Sequence, residues 1–145
     1  KVYYLKLLER FKKNKSFDSD RVIFLDPLNL NQFINHLGTA SVLLDPIYFG
    51  SGNSFHESMF YGTQTVTCPT KYIKSRIVSA AYAQMEIKNP PIVKNKDDYV
   101  NKAIEIANDE NILDRKKYYQ QAANEKLFNT EDVGEKFNSI LRELF

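Results

Sequence analysis

Apolar residues along this chain recur at two spacings, and the spacing changes almost segment by segment. In VYYLKLLERF, Val2, Leu5, Leu8 and Phe11 fall on one helical stripe, which SFDSD breaks. RVIFLD is a short β-branched and aromatic run stopped by Pro27, the pattern of a strand. NLNQFINHLG puts Leu30, Phe33, Ile34 and Leu37 on one helical face and reaches Gly38, which suits a helix C-terminus. ASVLLD is nearly continuous in apolar residues, as in a parallel sheet covered on both faces. NSFHESMFYG predicts a helix capped by Asn53 or Ser54 and closed by Gly62. TQTVTCP predicts a third strand, stopped by Pro69.

KYIKSRIVSAAYAQM predicts a helix with Ile73, Ile77, Ala80, Ala81 and Met85 on its inner side. Pro90 and Pro91 confine any strand in NPPIVKN to an edge or an entry. Helices are predicted in KDDYVNKAIEIAND, in ENILDRKKYYQQAANEKLF and in TEDVGEKFNSILRELF, the last capped by Thr130. Strands alternating with helices at short spacing imply right-handed βαβ units. The expected fold class is therefore α/β: a Rossmann-like parallel sheet flanked by helices, followed by extra C-terminal helices. Residues 1–145 are expected to form one domain, a length that suits a single core.

Charge narrows the partners. With 20 basic and 18 acidic residues the formal net charge is +2, too balanced to argue for nucleic acid or an anionic membrane. The basic opening KVYYLKLLERFKKNK reads as a solvated helix face. Cys68 is the single cysteine, so no internal disulfide can form; it reads as a buried structural thiol in a reducing, cytoplasmic setting. No apolar run approaches the ~18 residues of a membrane span, and no signal-peptide pattern is present. Lys1 is not an initiator methionine, and the sequence is expected to be a piece of a longer chain. No cluster has metal-ligand spacing, so no metal is expected.

The stretch DPIYFGSGNSFHE carries the candidate chemistry. Asp45 ends a strand, which places residues 46–54 on the rim where α/β sheets bind ligands. Gly50 and Gly52 allow close approach of a bulky anion. Asn53 and Ser54 begin a helix whose first amides are unpaired and, with the helix dipole, favour a phosphate. Glu57, about one turn further on, could accept hydrogen bonds from a ribose diol. One reading is a nucleotide diphosphate site. The other is an ordinary strand-to-helix turn in which Glu57 is a surface residue favouring a helix N-terminus.

From about residue 18 to the C-terminus the chain resembles the C-terminal catalytic half of the O-linked N-acetylglucosamine transferases and their bacterial SPINDLY-like relatives. These are glycosyltransferases of family 41 with the GT-B fold. The shared order is RVIF, a helix, a strand ending LLD, a glycine loop, an acidic residue in the next helix, GTxxVT, an SR pair, and LFNT at Leu127, Phe128, Asn129 and Thr130. The resemblance implies a partial nucleotide-sugar-binding domain whose acceptor-binding N-terminal half, helical repeats and first nucleotide-domain strand are absent. It implies transfer of a sugar, N-acetylglucosamine or a hexose, from a UDP-sugar to a protein or glycan acceptor, without a metal. A fragment of this extent would be inactive by itself.

By position, Asn53 and Ser54 would meet the diphosphate, where many relatives carry a threonine pair, and Glu57 would hold the ribose, where many carry Asp. Leu28 and Leu30 fall where backbone groups contact the uracil edge, and Phe33 and His36 on the helix side that walls the base. Animal enzymes have histidine and arginine at those last two positions. Phe33 can stack on a base or belong to the core, and His36 can wall the base or sit on the surface. Arg76 of KSR matches a family arginine near the rim; pairing with the loop, contact with a phosphate and a bridge to Asp45 are all open to it. His56 has no family role and reads as structural or exposed. No general base is evident, so no catalytic residue is assigned. The alternative class is a non-catalytic α/β interaction module derived from a transferase domain, and a homodimer through an uncovered sheet edge is a further partner to test.

Overall fold

A computed structural model describes residues 2–14, 16 and 18–144, the side chains of Val2, Ser19, Glu131 and Asp132 excepted. Val2's place in the first stripe and Phe17 of SFDSD thus lie outside the described side chains. The chain divides into two compact units, Lys1–Gln32 and Phe33–Phe145.

In the first unit, α1 (Val2–Lys12) forms where the apolar spacing predicts it. The rings of Tyr4 and Phe24 meet edge to face at 4.5 Å. The expected strand RVIFLD does not form: residues 22–29 carry no regular structure, and Ile23 is 80% exposed. A strand needs a neighbour to receive its N–H and C=O groups, and no ladder among the described residues includes this one. Where α2 (Leu30–Thr39) begins, the Asn29 amide donates to Gln32 Oε1 and the Gln32 amide to Asn29 Oδ1, each at 3.0 Å. This reciprocal capping box satisfies orphan donors at the helix start.

The second unit is helix-rich with a small parallel sheet, compatible with an α/β fold. Strands β1 (Leu43–Leu44) and β2 (Thr65–Val66) pair parallel, Leu43 opposite Thr65. A parallel bridge from Thr67 to Ile92 supplies the edge foreseen for NPPIVKN and leaves β2 in the middle. The helices of this unit are α3 (Asn53–Met59), α4 (Ile77–Gln84), α5 (Lys96–Ala107), α6 (Ile112–Ala122) and α7 (Glu131–Leu144), the last adding no described residue to the buried clusters. The last turn of α6 widens into a π turn, Ala123–Leu127.

One backbone position decides how α4 meets the sheet. Gln64 and Val66 turn their carbonyls toward β1, accepting from Leu43 and Asp45 at 2.8 and 3.0 Å. Thr67 faces the other way and exchanges bonds with Pro91 and Val93. Thr65 faces that second side too, where the Tyr82 hydroxyl takes the place of a strand. It accepts from Thr65 N at 2.8 Å and donates to Thr65 O at 2.9 Å. Burial pushes the Tyr82 hydroxyl far above its ordinary pKa, and neighbouring Tyr119 pushes it further.

That contact rotates α4 away from the expected inner face. Ala81 and Met85 are buried as predicted, but their companions are Val78 and Tyr82. Ala80 is exposed and Ile77 half-buried, and the expected helix does not reach back to Lys71: Ile73, 87% exposed, lies in a 3-10 turn, Ile73–Ser75, ahead of α4. The segment carries two apolar stripes, so periodicity could not choose between them, whereas the hydrogen bonds of Tyr82 do. The inner face joins Phe55, Met59, Ile87, Tyr119 and Ala123 in the main cluster, with Tyr82 edge-on to Phe55 and Tyr119 at 5.4 and 5.8 Å. A second cluster holds Val66, Cys68, Val93 and Ile106, so Cys68 is a buried thiol as expected.

Gly62 closes α3 with φ +65, the left-handed conformation glycine favours. A Cβ there would lie 1.8 Å from the carbonyl oxygen of Lys116. The same lysine reaches across to the end of α2, its Nζ donating to the carbonyls of Gly38 and Ala40 at 2.6 and 2.7 Å. Burial lowers the pKa of its ammonium.

Gly62→Ala should destabilise the protein by roughly 3 kcal/mol or more, through strained backbone and displacement of α6; urea unfolding measures it. A second outcome concerns pH. Burial raises the Tyr119 hydroxyl to about 12 and moves Tyr82 in the same direction. The unfolded chain then loses these protons first, near pH ~10. Stability is fully present below that value and falls as pH rises through the folded-state values. Thermal melts across this range should show Tm dropping above pH ~10, with Tyr119→Phe flattening the fall.

Candidate functional site

Asp45 leaves β1 and shapes the loop that follows. Its side chain is buried, with no cation paired to it among the described residues. Instead it accepts from the Ser51 amide at 2.5 Å and from Thr67 Oγ1 at 2.6 Å. Its own carbonyl accepts from the Tyr99 hydroxyl at 2.8 Å. Burial first, then the Asp45 carboxylate and then Cys68, raise Tyr99 to about 12, so the phenol stays protonated and able to donate. A buried carboxylate held by two donors, on a residue whose carbonyl takes a third, is a rigid anchor. The bridge from Arg76 to Asp45 left open above is not formed.

The rest of the loop follows from this anchor. The Gly50 amide donates to Lys74 O at 2.8 Å, tying the loop to the 3-10 turn Ile73–Ser75. A Cβ on Gly50 would sit 3.1 Å from that carbonyl and 3.3 Å from Asp45 Oδ1, tight on both sides. Gly50 and Gly52 do not use the left-handed backbone; among the glycines only Gly62 does. Gly52 has nothing within 4 Å of where a Cβ would stand, so the chain is open to approach there.

Gly52 is also the N-cap of α3, in place of the expected Asn53 or Ser54, and no side chain caps the helix. Its carbonyl receives the amides of Phe55 and His56. The amides of Gly52, Asn53 and Ser54 donate to no group among the described residues. They are the orphan donors of a helix start, immediately after an amide consumed by Asp45. Glu57 is half-buried one turn on, and its carboxylate has no hydrogen bond or ion pair among the described residues.

The structure thus brings Gly50, Gly52, Asn53, Ser54 and Glu57 into one loop and helix start, with Arg76 on the segment tied to it through Lys74. Phe33 is half-buried and His36 exposed on α2, and no hydrogen bond or ring contact joins either to the loop. Leu28, half-buried, and Leu30, exposed, belong to the first unit. The sequence pattern missed Tyr99 and Thr67, which hold Asp45 from 54 and 22 residues away. Only a threonine in the neighbouring strand hinted at them. A small cavity of about 200 Å³, lined by Tyr48, Thr70, Tyr72 and Lys74, borders the same loop.

Among the described residues no group of three or more His, Cys, Asp or Glu side chains could hold a metal ion. No helix of theirs is long and apolar enough to cross a membrane. No protein-family profile matches the chain, and no curated protein matches it.

Replacing Asp45 by Ala strands the Ser51 amide and the Thr67 hydroxyl, and should cost about 3 kcal/mol in urea unfolding. Asp45→Asn keeps one acceptor and should cost less. Equal losses for the two would show that the carboxylate does not anchor the loop.

Proposed function

We propose that this chain is the donor-binding part of a glycosyltransferase, its loop from Gly50 to Ser54 receiving the diphosphate of a UDP-sugar. The observation that carries the reading is the run of unpartnered amides at Gly52, Asn53 and Ser54, beside a half-buried Glu57 with no protein partner. Amides fixed before the ligand arrives can stabilise a departing diphosphate without reorganising, and this needs no metal in principle. The resemblance to family 41 in order and spacing supports the same reading and supplies the sugar-nucleotide class. In it the sheet is the C-terminal Rossmann-like half of a GT-B enzyme, and the acceptor, polypeptide or glycan, meets regions outside this chain. Phe33 and His36, on α2, would meet the base.

A second reading, a non-catalytic interaction module, is favoured by one observation. On α7 the apolar side chains Val133, Phe137, Ile140, Leu141 and Leu144 are all exposed. An uncovered amphipathic face is a contact surface in search of a partner.

Calorimetry with UDP separates the two. Saturable heat is expected, and Glu57→Ala should weaken binding by roughly 1–3 kcal/mol, the scale of a charged acceptor lost. A folded protein that gives no heat with UDP, but retains a partner in pull-down without nucleotide, would replace the first reading by the second.

A further inference from the structure

The outer side of α4 and the 3-10 turn before it line a cleft of about 680 Å³, within the size range of small-molecule sites. Its apolar floor is Ile73, Ile77, Ala80 and Leu127, and its polar groups include His56 and Arg76. An apolar strip of Ile73, Ile77 and Ala80 left open beside a helix whose other face is in the core is not explained by folding alone. Burying Ile73 and Ala80 would have been favourable, yet both are exposed.

The polar groups at this cleft have defined roles. Arg76 carries a permanent charge, and its guanidinium has no ion pair or hydrogen bond among the described residues. His56 Nδ1 lies 3.0 Å from Gly52 O, which can only accept, so in the neutral ring Nδ1 holds the proton and Nε2 is left as an acceptor. Ser79 Oγ donates to Arg76 O, and Gln84 Nε2 donates to Lys126 O, so each retains lone pairs. The cleft therefore offers one cation, several acceptors and an apolar floor. The wall formed by the π turn is held from outside. Besides the Gln84 bond, Lys126 pairs with Glu86, whose backbone takes φ +54. A π turn and a left-handed non-glycine residue both carry a cost in free energy, and both tend to occur at functional sites.

We propose that this cleft binds an organic monoanion with an apolar body, its carboxylate on Arg76 and its body on Ile73, Ile77, Ala80 and Leu127. The inference goes beyond the donor reading. It places a second ligand beside the loop, the two sharing the His56–Gly52 contact as a common wall.

The test is a titration of the full chain followed by 1H–15N spectra, with 4-phenylbutyrate, its neutral amide, inorganic phosphate and UDP as probes. Phenylbutyrate should shift His56, Arg76, Ser79 and Ala80 saturably, with the amide and inorganic phosphate each weaker by about tenfold, the scale of one charge-assisted hydrogen bond. Arg76→Gln should bring the acid down to the level of its amide. Ala80→Glu, which sets a carboxylate one turn from Arg76, should abolish the shifts while leaving Tm unchanged. Equal binding of acid and amide, no clustered shifts, or binding that survives both substitutions would overturn the inference. Displacement of phenylbutyrate by UDP would also overturn it, because the cleft would then belong to the donor. Absence of UDP binding with phenylbutyrate still bound would overturn the donor reading alone.

Discussion

Two hydrogen bonds between a phenol and one residue of a strand set the arrangement of the main core. Thr65 sits in the central strand with no neighbour opposite its outward N–H and C=O. In an apolar interior each would be costly to leave unpaired. The Tyr82 hydroxyl satisfies both, accepting one proton and giving one. For this the ring must lie against the sheet, and that fixes the rotation of α4. Phe55 and Tyr119 then close on the ring edge to face, and α3 and α6 are held to the same cluster. The sheet itself is small, so side-chain packing carries much of what longer ladders carry in larger α/β domains.

A second polar contact does for the loop what Tyr82 does for the core. Asp45 directly follows β1 and is the acceptor for Ser51 and Thr67. The loop is thus pinned at the Gly50 and Ser51 amides and left open at the next three. Anchoring and availability have the same origin here. A carboxylate that takes the Ser51 amide directs the chain into α3 with Gly52 at the cap, and no side chain supplies the missing acceptors. A ligand binding there would lose little entropy from ordering the loop, because the protein has already met that cost in folding. The rotation of α4 has a parallel consequence, turning Ile77 and Ala80 outward beside Arg76 and the exposed Ile73 of the preceding 3-10 turn. The loop and the cleft are therefore products of two polar contacts, one anchored at Asp45 and one at Thr65.

Much of this was legible in the residues. Each predicted helix forms, because helices are local and their periodicity is written in i, i+3 and i+4 positions, but the one expected from Lys71 begins only at Ile77, after a 3-10 turn at Ile73–Ser75. The two strands ending at Asp45 and before Pro69 were legible for a related reason, their apolar runs being short and bounded by breakers. RVIFLD has the same composition and is no strand, since a strand exists only with a neighbour, and composition does not say whether one is present. Asn53 and Ser54 are good cap residues, yet Gly52 caps α3, because the hold of Asp45 on Ser51 sets where the helix begins.

By itself, the sequence determined the order and type of the helices, the parallel character of the sheet, the left-handed turn at Gly62 and the loop of small polar residues after Asp45. Each depends on contacts within a few residues or on the preference of one residue type for one backbone conformation. Tertiary structure alone decided which stripe of α4 is buried, that Thr67 and Tyr99 hold Asp45, and that Lys116 caps α2 from 78 residues away. Those outcomes rest on pairings between distant hydrogen-bonding groups. Such a pairing costs the chain closure of a long loop and takes shape only when the rest of the core is in place.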